Sequence, residues 1–461
     1  MNYKLRISGK HFKKLQEALY PGDGKESGAI AVCSRHETST CTVLLLKKVY
    51  PVPSSAYRTR EFDFLEWDTQ WLSNILNDAE AENSSLIKFH SHPGGLDQFS
   101  ELDDLTDIEM LNKWSIWYDR AIPHGSVIML PSGKLFGRIS VSRAQFVPFS
   151  SIAIAGDQYN YWSAEENNSS FSEAESRNLQ TFGAGTTSIL KQLKIGVVGC
   201  SGTGSVVVEQ LARLSIGHLV LIDPDKVEEK NLNRILNATS NDAAQERYKV
   251  HVLGDMIAKM GFETKVDMLP VNLVSPEPVR EIASCDVIFG CVDGAEGRHI
   301  LNRIATYYVL PYFDVGIDLQ ADEAGGISQV TGAVHYVQPG GSSLFSRGVY
   351  SLAEVEAEAM LRTDPKLYAE RRKQNYIADA DVDSPAVLPI NMHYASLLVL
   401  EFLARVHQYR LTDDGELAIQ QYNLEDIDNV FRADDGAPCD ALERRVGRGN
   451  VIPLLDMPGL E

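Results

Sequence analysis

Two histidines separated by one residue lie in the segment HSHPGGLDQFSELDD, and a serine and an aspartate follow at short spacing. In a strand, residues two apart point to the same face, so His90 and His92 can present their imidazoles together. Asp103 follows Ser100 by three residues, about one helical turn. Two imidazoles and a carboxylate make a catalytic zinc site with an open position for water, whose pKa the metal lowers to about 7. The segment therefore indicates hydrolytic zinc chemistry.

The same residues also have a purely structural interpretation. Serine followed three residues later by an acidic residue is a helix-capping signature, so Ser100 and Asp103 could satisfy helix amides without any metal. The combination of both histidines with this spacing favours the metal site.

A glycine-rich turn forms a second group. The sequence VVGCSGTGS places Gly199, Gly202, Gly204 and Ser205 between a strand and a helix, where backbone amides can receive phosphate. Asp223 ends the next strand, in position to bind ribose hydroxyls. A nicotinamide-dependent dehydrogenase fits these features equally well.

The residues that follow favour a nucleoside triphosphate. The segment IDPDKVEEKNLNRIL carries Asp225, Asn231 and Arg234, and Lys249 and Asp293 lie downstream. Arg234 and Lys249 would neutralise phosphate charge, and Asp293 would bind magnesium. Hydride transfer does not need this set.

The elements that must position these residues are of mixed α/β type. The N-terminal part alternates helix and strand patterns, and LKIGVVG begins a series of strands and helices typical of a doubly wound sheet. The polar sequence after about residue 155 indicates a linker. We therefore predict a domain at 1–150, a linker at 151–175 and a second domain at 176–461. The predicted elements are helix 11–20, strands 27–33, 41–52 and 85–92, helix 104–118, and strands ending near 199, 223, 269, 293 and 316.

Composition excludes several classes of protein. Lys and Arg total 43 against 63 Asp and Glu, and the net charge of −20 opposes nucleic-acid binding. No segment has the pattern of a signal peptide or a membrane span, so we expect a cytoplasmic protein without membrane partners. The six cysteines include no C-x-x-C pair, which argues against a disulfide framework.

The first motif resembles the signature of the JAB/MPN-type (JAMM) zinc isopeptidases, H-x-H followed by seven residues and S-x-x-D. The resemblance implies a cytidine-deaminase-like α/β fold. It also implies an enzyme that cleaves the bond after the C-terminal glycine of ubiquitin-like proteins. It assigns zinc to His90, His92 and Asp103, with Ser100 assisting the oxyanion. KESGAIAV supplies Glu26 as general base.

The second group resembles the ThiF/MoeB-like adenylating domain of ubiquitin-activating enzymes and sulfur-carrier activators, through the G-x-x-G-x-G-S turn and the D-x-D-x-V…N-L-x-R block. The resemblance implies a Rossmann-like domain that uses ATP and magnesium to adenylate the C-terminal glycine of a ubiquitin-like protein. It also implies a homodimer in which Arg177 enters the partner's nucleotide site.

This chain departs from that family where relatives often carry zinc-binding cysteines. PGGSSLFSRG has Ser343 and Ser346 at those places, so we predict that the structural zinc is absent. Between Asp293 and Cys439 there is no cysteine, which leaves Cys439, a serine or no residue as acceptor of the activated acyl group.

We therefore expect a bifunctional enzyme of a bacterial ubiquitin-like pathway, such as antiviral defence, with a conjugating enzyme as a possible second partner. The alternatives are a zinc peptidase with a non-catalytic docking domain, sulfur-carrier activation, and a nicotinamide oxidoreductase. Arg234 and Lys249 argue against the last.

Overall fold

The computed structural model describes residues 2–118, 122–142, 144–164, 171–321, 326–373, 386–426 and 430–460. The chain divides into two compact units. The first comprises Met1–Asn168 with two later segments, Tyr307–Val309 and Arg445–Val451, and the second comprises the remainder. None of the described helices is long and apolar enough to cross a membrane.

The first unit is built on a mixed sheet with helices on its faces. Its described strands are β1 (Asn2–Ser8), β2 (Gly28–Glu37), β3 (Cys41–Pro51), β4 (Tyr57–Arg60), β5 (Leu65–Trp67), β6 (Ser85–Ser91), β7 (His124–Met129), β8 (Leu135–Ser142), β9 (Gln145–Pro148), β10 (Ser151–Ala155) and β11 (Tyr159–Ser163). Its helices are α1 (Gly9–Leu19), α2 (Ser73–Ala81) and α3 (Glu101–Trp117). The strand order is β11-β10-β1-β3-β2-β6-β7-β8-β9, and β4 and β5 form a separate hairpin.

Alternation along the central strands separates the two faces of this sheet. Ile87 and Phe89 of β6 join the core that includes α1, whereas Leu86 joins the core formed with α2 and α3. Lys88 and His90 share the face of Leu86, so they point toward the α3 side. The predicted helices and central strands of this part are confirmed, with boundaries shifted by a few residues.

The segment expected to be a linker is only partly irregular. Within 151–175, β10 pairs with β1 in parallel and β11 pairs with β10 in antiparallel orientation. β10 is apolar and fully buried, but polar sequence follows it directly. β11 mixes aromatic and polar side chains at the sheet edge, so its hydrophobic pattern is weak. Residues 165–170 lie outside the described part.

The second unit begins as a parallel α/β sheet. Its described elements are α4 (Ser176–Gln192), β12 (Lys194–Val198), α5 (Gly202–Arg213), β13 (His218–Ile222), α6 (Ser240–Ala244), α7 (Lys249–Met260), β14 (Lys265–Leu269), α8 (Pro276–Ala283), β15 (Val287–Gly290), α9 (Ala295–Tyr307), β16 (Tyr312–Ala321), β17 (Ile327–Val337), α10 (Leu352–Thr363), α11 (Pro365–Lys373), α12 (Leu388–Val406), β18 (Ile419–Asn423) and β19 (Val430–Ala433). Strands β14-β13-β12-β15-β16 are parallel neighbours in that order, and β17, β18 and β19 extend the sheet in antiparallel fashion.

This order reverses direction between β12 and β15. In doubly wound sheets, ligands bind outside the carboxyl ends of the strands at that reversal point. The glycine-rich turn follows β12, Asp223 follows β13 and Asp293 follows β15. The fold therefore brings the predicted nucleotide residues to one edge of the sheet.

Candidate functional site

The two histidines lie at the end of a buried central strand. His90 is in β6 and His92 follows directly, with exposed fractions of 3% and 5%. Their ring centroids are 5.0 Å apart. Strand alternation therefore places both imidazoles together, as the spacing predicts.

Asp103 of α3 completes a cluster of three potential metal ligands. Its Oδ1 lies 2.8 Å from His90 Nε2, and its Oδ2 lies 3.4 Å from His92 Nε2. Each of the three residues offers one potential ligand atom, and these three atoms all lie within 4.8 Å of one another. Among the described histidines, cysteines and acidic residues, this group has the geometry to hold a metal ion. Three converging N and O donors match the ligand set that a catalytic zinc requires.

The hydrogen bonding of the rings supports this fit. His92 Nδ1 lies 2.8 Å from the Leu96 carbonyl oxygen, so this nitrogen donates and Nε2 keeps its lone pair for a metal. Both ring nitrogens of His90 are buried and make no hydrogen bond of acceptable geometry in the described part of the chain. A metal on Nε2 would satisfy one of these buried polar atoms.

Ionisation of the cluster also suits a cation. Burial opposes the charge of Asp103, but His90, His92 and Ser100 hold the pKa of its carboxyl well below the usual range. Burial, reinforced by the charge of Lys88, lowers the pKa of His90. Burial lowers the pKa of His92, but Asp103 and the Leu96 carbonyl raise it above the usual value, so the neutral imidazole beside the Asp103 carboxylate is that of His90.

Ser100 caps α3, as the structural interpretation predicts. Its side chain accepts the Asp103 amide at 3.1 Å, and its hydroxyl donates to Asp103 Oδ2 at 2.7 Å. The Asp103 carboxylate also accepts the Ser100 amide at 2.8 Å. Capping and ligand orientation are therefore compatible, and oxyanion assistance by Ser100 stays a prediction.

Glu26 lies opposite the histidine strand, just before β2. Gly28 pairs with His90, and the Ser91 amide donates to the Ser27 carbonyl at 3.1 Å, so continued antiparallel pairing places Glu26 beside His92. The side chain is 9% exposed. Burial, with a contribution from Asp103, raises the pKa of Glu26 to about 7 while His92 opposes the shift. A carboxyl of this pKa is suited to proton transfer near neutral pH.

Sequence reasoning missed a buried ionic network beside the cluster. Lys88 Nζ lies 2.5 Å from Asp107, and Arg138 of β8 donates to the other oxygen of Asp107 at 2.7 Å. The available signal was spacing: Lys88 precedes His90 by two residues on one strand face, and Asp107 follows Asp103 by one helical turn.

The glycine-rich turn of the second unit requires glycine at two positions. Gly199 has φ +88°, and a Cβ there would lie 2.5 Å from the Cys291 carbonyl oxygen. A Cβ on Gly204 would overlap the Gly199 carbonyl oxygen. The α5 helix begins at Gly202 without a side-chain cap from Ser201, which leaves its N-terminus suited to an anion.

Ser205 supports this turn from within. It is 0% exposed, its hydroxyl donates to the Gly202 carbonyl at 3.2 Å, and its oxygen accepts the Leu236 amide at 3.1 Å. Both functions of its hydroxyl are engaged in holding the turn, and nucleotide binding by Ser205 stays a prediction.

Asp223 and Asp225 lie beside the turn with Lys249. Asp223 accepts the amides of Cys200 at 2.7 Å and Asp225 at 2.8 Å, and burial raises its pKa. The Lys249 ammonium lies 2.7 Å from Asp225 and 3.9 Å from Asp223. The structure therefore joins both predicted acids and the predicted lysine in one charged cluster.

Arg234 lies against the turn, and Asn231 shapes the segment that carries it; nucleotide binding by these two residues stays a prediction. A Cβ on Gly202 would meet Arg234 Cδ at 3.2 Å, and the guanidinium donates to the Lys230 carbonyl at 2.8 Å. Asn231 is buried, and its Oδ1 accepts the Glu228 amide at 3.0 Å. The amide of Asn231 thus shapes the segment that carries Arg234.

Asp293 and Arg177 are both exposed. Asp293 follows β15, and its carbonyl accepts a hydrogen bond from Arg298 at 3.2 Å. Arg177 donates to Gln180 of its own helix at 2.7 Å. Magnesium binding by Asp293 and entry of Arg177 into a partner site stay predictions.

Comparison with known proteins identifies the second unit. The model of the ThiF family matches residues 174–433, which is 260 residues and more than half of the 461. The chain belongs to the ThiF family. The predicted resemblance is confirmed at this level, and the match does not include the His90–Asp103 cluster.

Several relatives resemble this ThiF-family chain. Ubiquitin-like modifier-activating enzyme 5 of Culex quinquefasciatus is 27% identical over 169 residues, 34% of this chain and 40% of the relative. The same enzyme of Caenorhabditis elegans is 25% identical over 168 residues, 34% of this chain and 38% of the relative. The chain thus spans about two fifths of the length of these curated relatives. A crystal structure of Escherichia coli MccB is also similar, with 16% identity and a TM-score of 0.45 over 62% of this chain and 76% of that chain. A crystal structure of PaaA has 19% identity and a TM-score of 0.41 over 59% of this chain and 78% of that chain.

Where zinc-binding cysteines were considered, this ThiF-family chain has hydrogen-bonded serines. The Ser343 amide donates to Ser346 Oγ at 2.9 Å, and the Ser346 amide donates to Ser343 Oγ at 3.2 Å. Cys439 is 2% exposed, and its amide donates to the Gly341 carbonyl at 3.0 Å. A thiol this buried is not accessible to an activated acyl group.

Proposed function

We propose that this protein acts on the C-terminus of a ubiquitin-like protein at two sites. The first cleaves after its terminal glycine with zinc, and the second adenylates that glycine with ATP and magnesium. The observation that carries the first activity is the convergence of His90, His92 and Asp103 with Glu26 opposite. Membership of the ThiF family supports the second.

At the first site, His90, His92 and Asp103 would hold zinc. A bound zinc would supply Lewis acidity toward the scissile carbonyl and toward water. Glu26 would accept the proton of the attacking water and deliver it to the leaving amine, since its raised pKa allows both transfers. Ser100 would keep the Asp103 carboxylate in its ligating orientation.

At the second site, the backbone amides of the glycine-rich turn would donate hydrogen bonds to phosphate, and Asp223 would accept hydrogen bonds from the ribose hydroxyls. Arg234 and Lys249 would offset the charge of the triphosphate, and Lys249 would exchange its present partner Asp225 for phosphate. Magnesium held by Asp293 would offset further charge. The glycine carboxylate would attack the α-phosphate, forming an acyl-adenylate and releasing pyrophosphate.

The test is intact-mass spectrometry of a ubiquitin-like protein encoded beside this chain, extended by a few residues beyond Gly-Gly. Incubation with the zinc-loaded chain, ATP and magnesium should remove the extension, and pyrophosphate exchange should report adenylation. Glu26→Gln should abolish only the first reaction and Asp293→Ala only the second.

Cleavage without pyrophosphate exchange would reduce the second unit to a docking domain. Exchange without cleavage would remove the peptidase assignment. Tight binding of NAD in place of ATP would overturn the adenylation proposal.

A further inference from the structure

The segment that carries Glu26 belongs to neither a helix nor a strand. Residues of the β4–β5 hairpin form hydrogen bonds with both the amide and the carbonyl of Glu26. The Glu26 amide donates to the Glu61 carbonyl at 2.8 Å, and the Arg60 guanidinium donates through Nε to the Glu26 carbonyl at 2.8 Å. The Gly28 amide donates to the Tyr57 hydroxyl at 3.0 Å. Irregular backbone costs about 1–2 kcal/mol per residue to order, so these bonds decide where Glu26 lies.

Arg60 makes most of the side-chain contacts in this arrangement. Besides the Glu26 carbonyl, its guanidinium donates to the Ser27 hydroxyl at 2.5 Å and to both carboxylate oxygens of Asp23, at 2.5 and 3.0 Å. One planar fork therefore joins three residues of the segment 23–27. A lysine in its place could supply the charge but not this geometry.

The same segment is joined to the histidine strand. The Ser27 amide donates to Ser91 Oγ at 3.0 Å, and Ser91 lies between His90 and His92. Arg60 thus holds the Glu26 carbonyl, and the following residue, Ser27, is bonded to the strand that carries the histidines. A displacement of residues 23–26 would therefore change the position of Glu26 relative to the cluster.

We propose that Arg60 is a positioning residue that fixes Glu26, the general base of the proposed peptidase, against the zinc cluster. The inference rests on the proposed function for the role of Glu26, but the structural contact is independent of it. Arg60 does not contact the ligating atoms of the cluster, so zinc affinity should not depend on it.

The test compares Arg60→Ala with Arg58→Ala in the zinc-loaded full chain. Arg58 lies in the same strand but its side chain is 61% exposed, and it forms ion pairs with Glu66 of β5 and with Asp68, which follows β5. Misplacement of a catalytic group by about 1 Å costs roughly 100-fold in rate, so Arg60→Ala should lower kcat about 100-fold with KM and zinc affinity unchanged. Arg60→Lys should recover only a small part of kcat.

Equal kcat in the two alanine variants would overturn the proposal, and so would a loss of zinc affinity that matches the loss of kcat. Hydrogen exchange supplies a readout that needs no activity. In Arg60→Ala the amides of Glu26 and Gly28 should exchange faster than in Arg58→Ala, while those of β6 should not change. If the wild-type chain does not cleave, the proposed function falls, and unchanged exchange would then overturn the positioning role as well.

Discussion

At the scale of single residues, Asp107 stabilises the first unit and the orientation of α3. Asp107 is fully buried between Lys88 and Arg138, so Asp107→Asn removes the carboxylate that both cations share and leaves Arg138 with the exposed Asp104. Breaking one side of a buried pair costs about 3–5 kcal/mol of unfolding free energy. We expect a loss of this size in denaturant unfolding, together with weaker zinc binding in equilibrium titration, because Asp103 lies on the same helix.

The matched control is Asp104→Asn. Asp104 also contacts Arg138 but is 51% exposed, and exposed pairs contribute about 1 kcal/mol or less. Although burial opposes its charge, Lys88 and Arg138 hold the pKa of Asp107 below the usual value. The stabilisation is therefore present above the pKa of the unfolded chain, about 4, and is lost as the pH falls below it. Equal destabilisation by both variants would contradict this account.

At the scale of elements, the N-terminus of α9 depends on a carboxylate from α10. Glu358 accepts the amides of Ala295 and Glu296, each at 2.8 Å, directly after Asp293. Loss of a cap costs about 0.5–2 kcal/mol, so Glu358→Ala should lower stability by that amount in denaturant unfolding and raise the magnesium concentration needed for pyrophosphate exchange. Glu356→Ala, an exposed change on the same helix, should have neither effect; a similar loss there would refute the capping role.

Sequence reasoning reached the parts of the site that depend on local periodicity. His90 and His92 share a face because strands alternate, and Asp103 follows from the helical turn after Ser100. Arg60 could not be found in this way, because its partners Asp23, Glu26 and Ser27 lie more than 30 residues away along the chain. Lys88 and Asp107 share the strand and helix faces of His90 and Asp103, so their spacing carried a signal. The β11 strand was missed because a short edge strand of mixed aromatic and polar residues carries little hydrophobic pattern. The β10 strand was missed because it has only five residues and polar sequence follows it.

At the scale of the whole molecule, the two units should respond to different ligands. A ligand that binds only the folded state adds RT ln(1 + [L]/Kd) to stability, about 2.7 kcal/mol at 100 times Kd. Calorimetry should show that zinc raises one thermal transition and that ATP with magnesium raises another. His90→Ala should remove only the zinc shift, and a single transition raised by both ligands would argue against separate sites.

The first unit includes residues that are far apart along the chain. Arg445–Val451 belongs to it, where the Ser34 hydroxyl donates to the Gly447 carbonyl and His36 Nδ1 lies 3.1 Å from Asn450 Oδ1. During synthesis these contacts must wait until the ribosome has delivered residues 174–433, the region that matches the ThiF family. The histidine cluster is therefore translated early but sits in a unit completed late, so completion of this unit is tied to translation of the ThiF-family region.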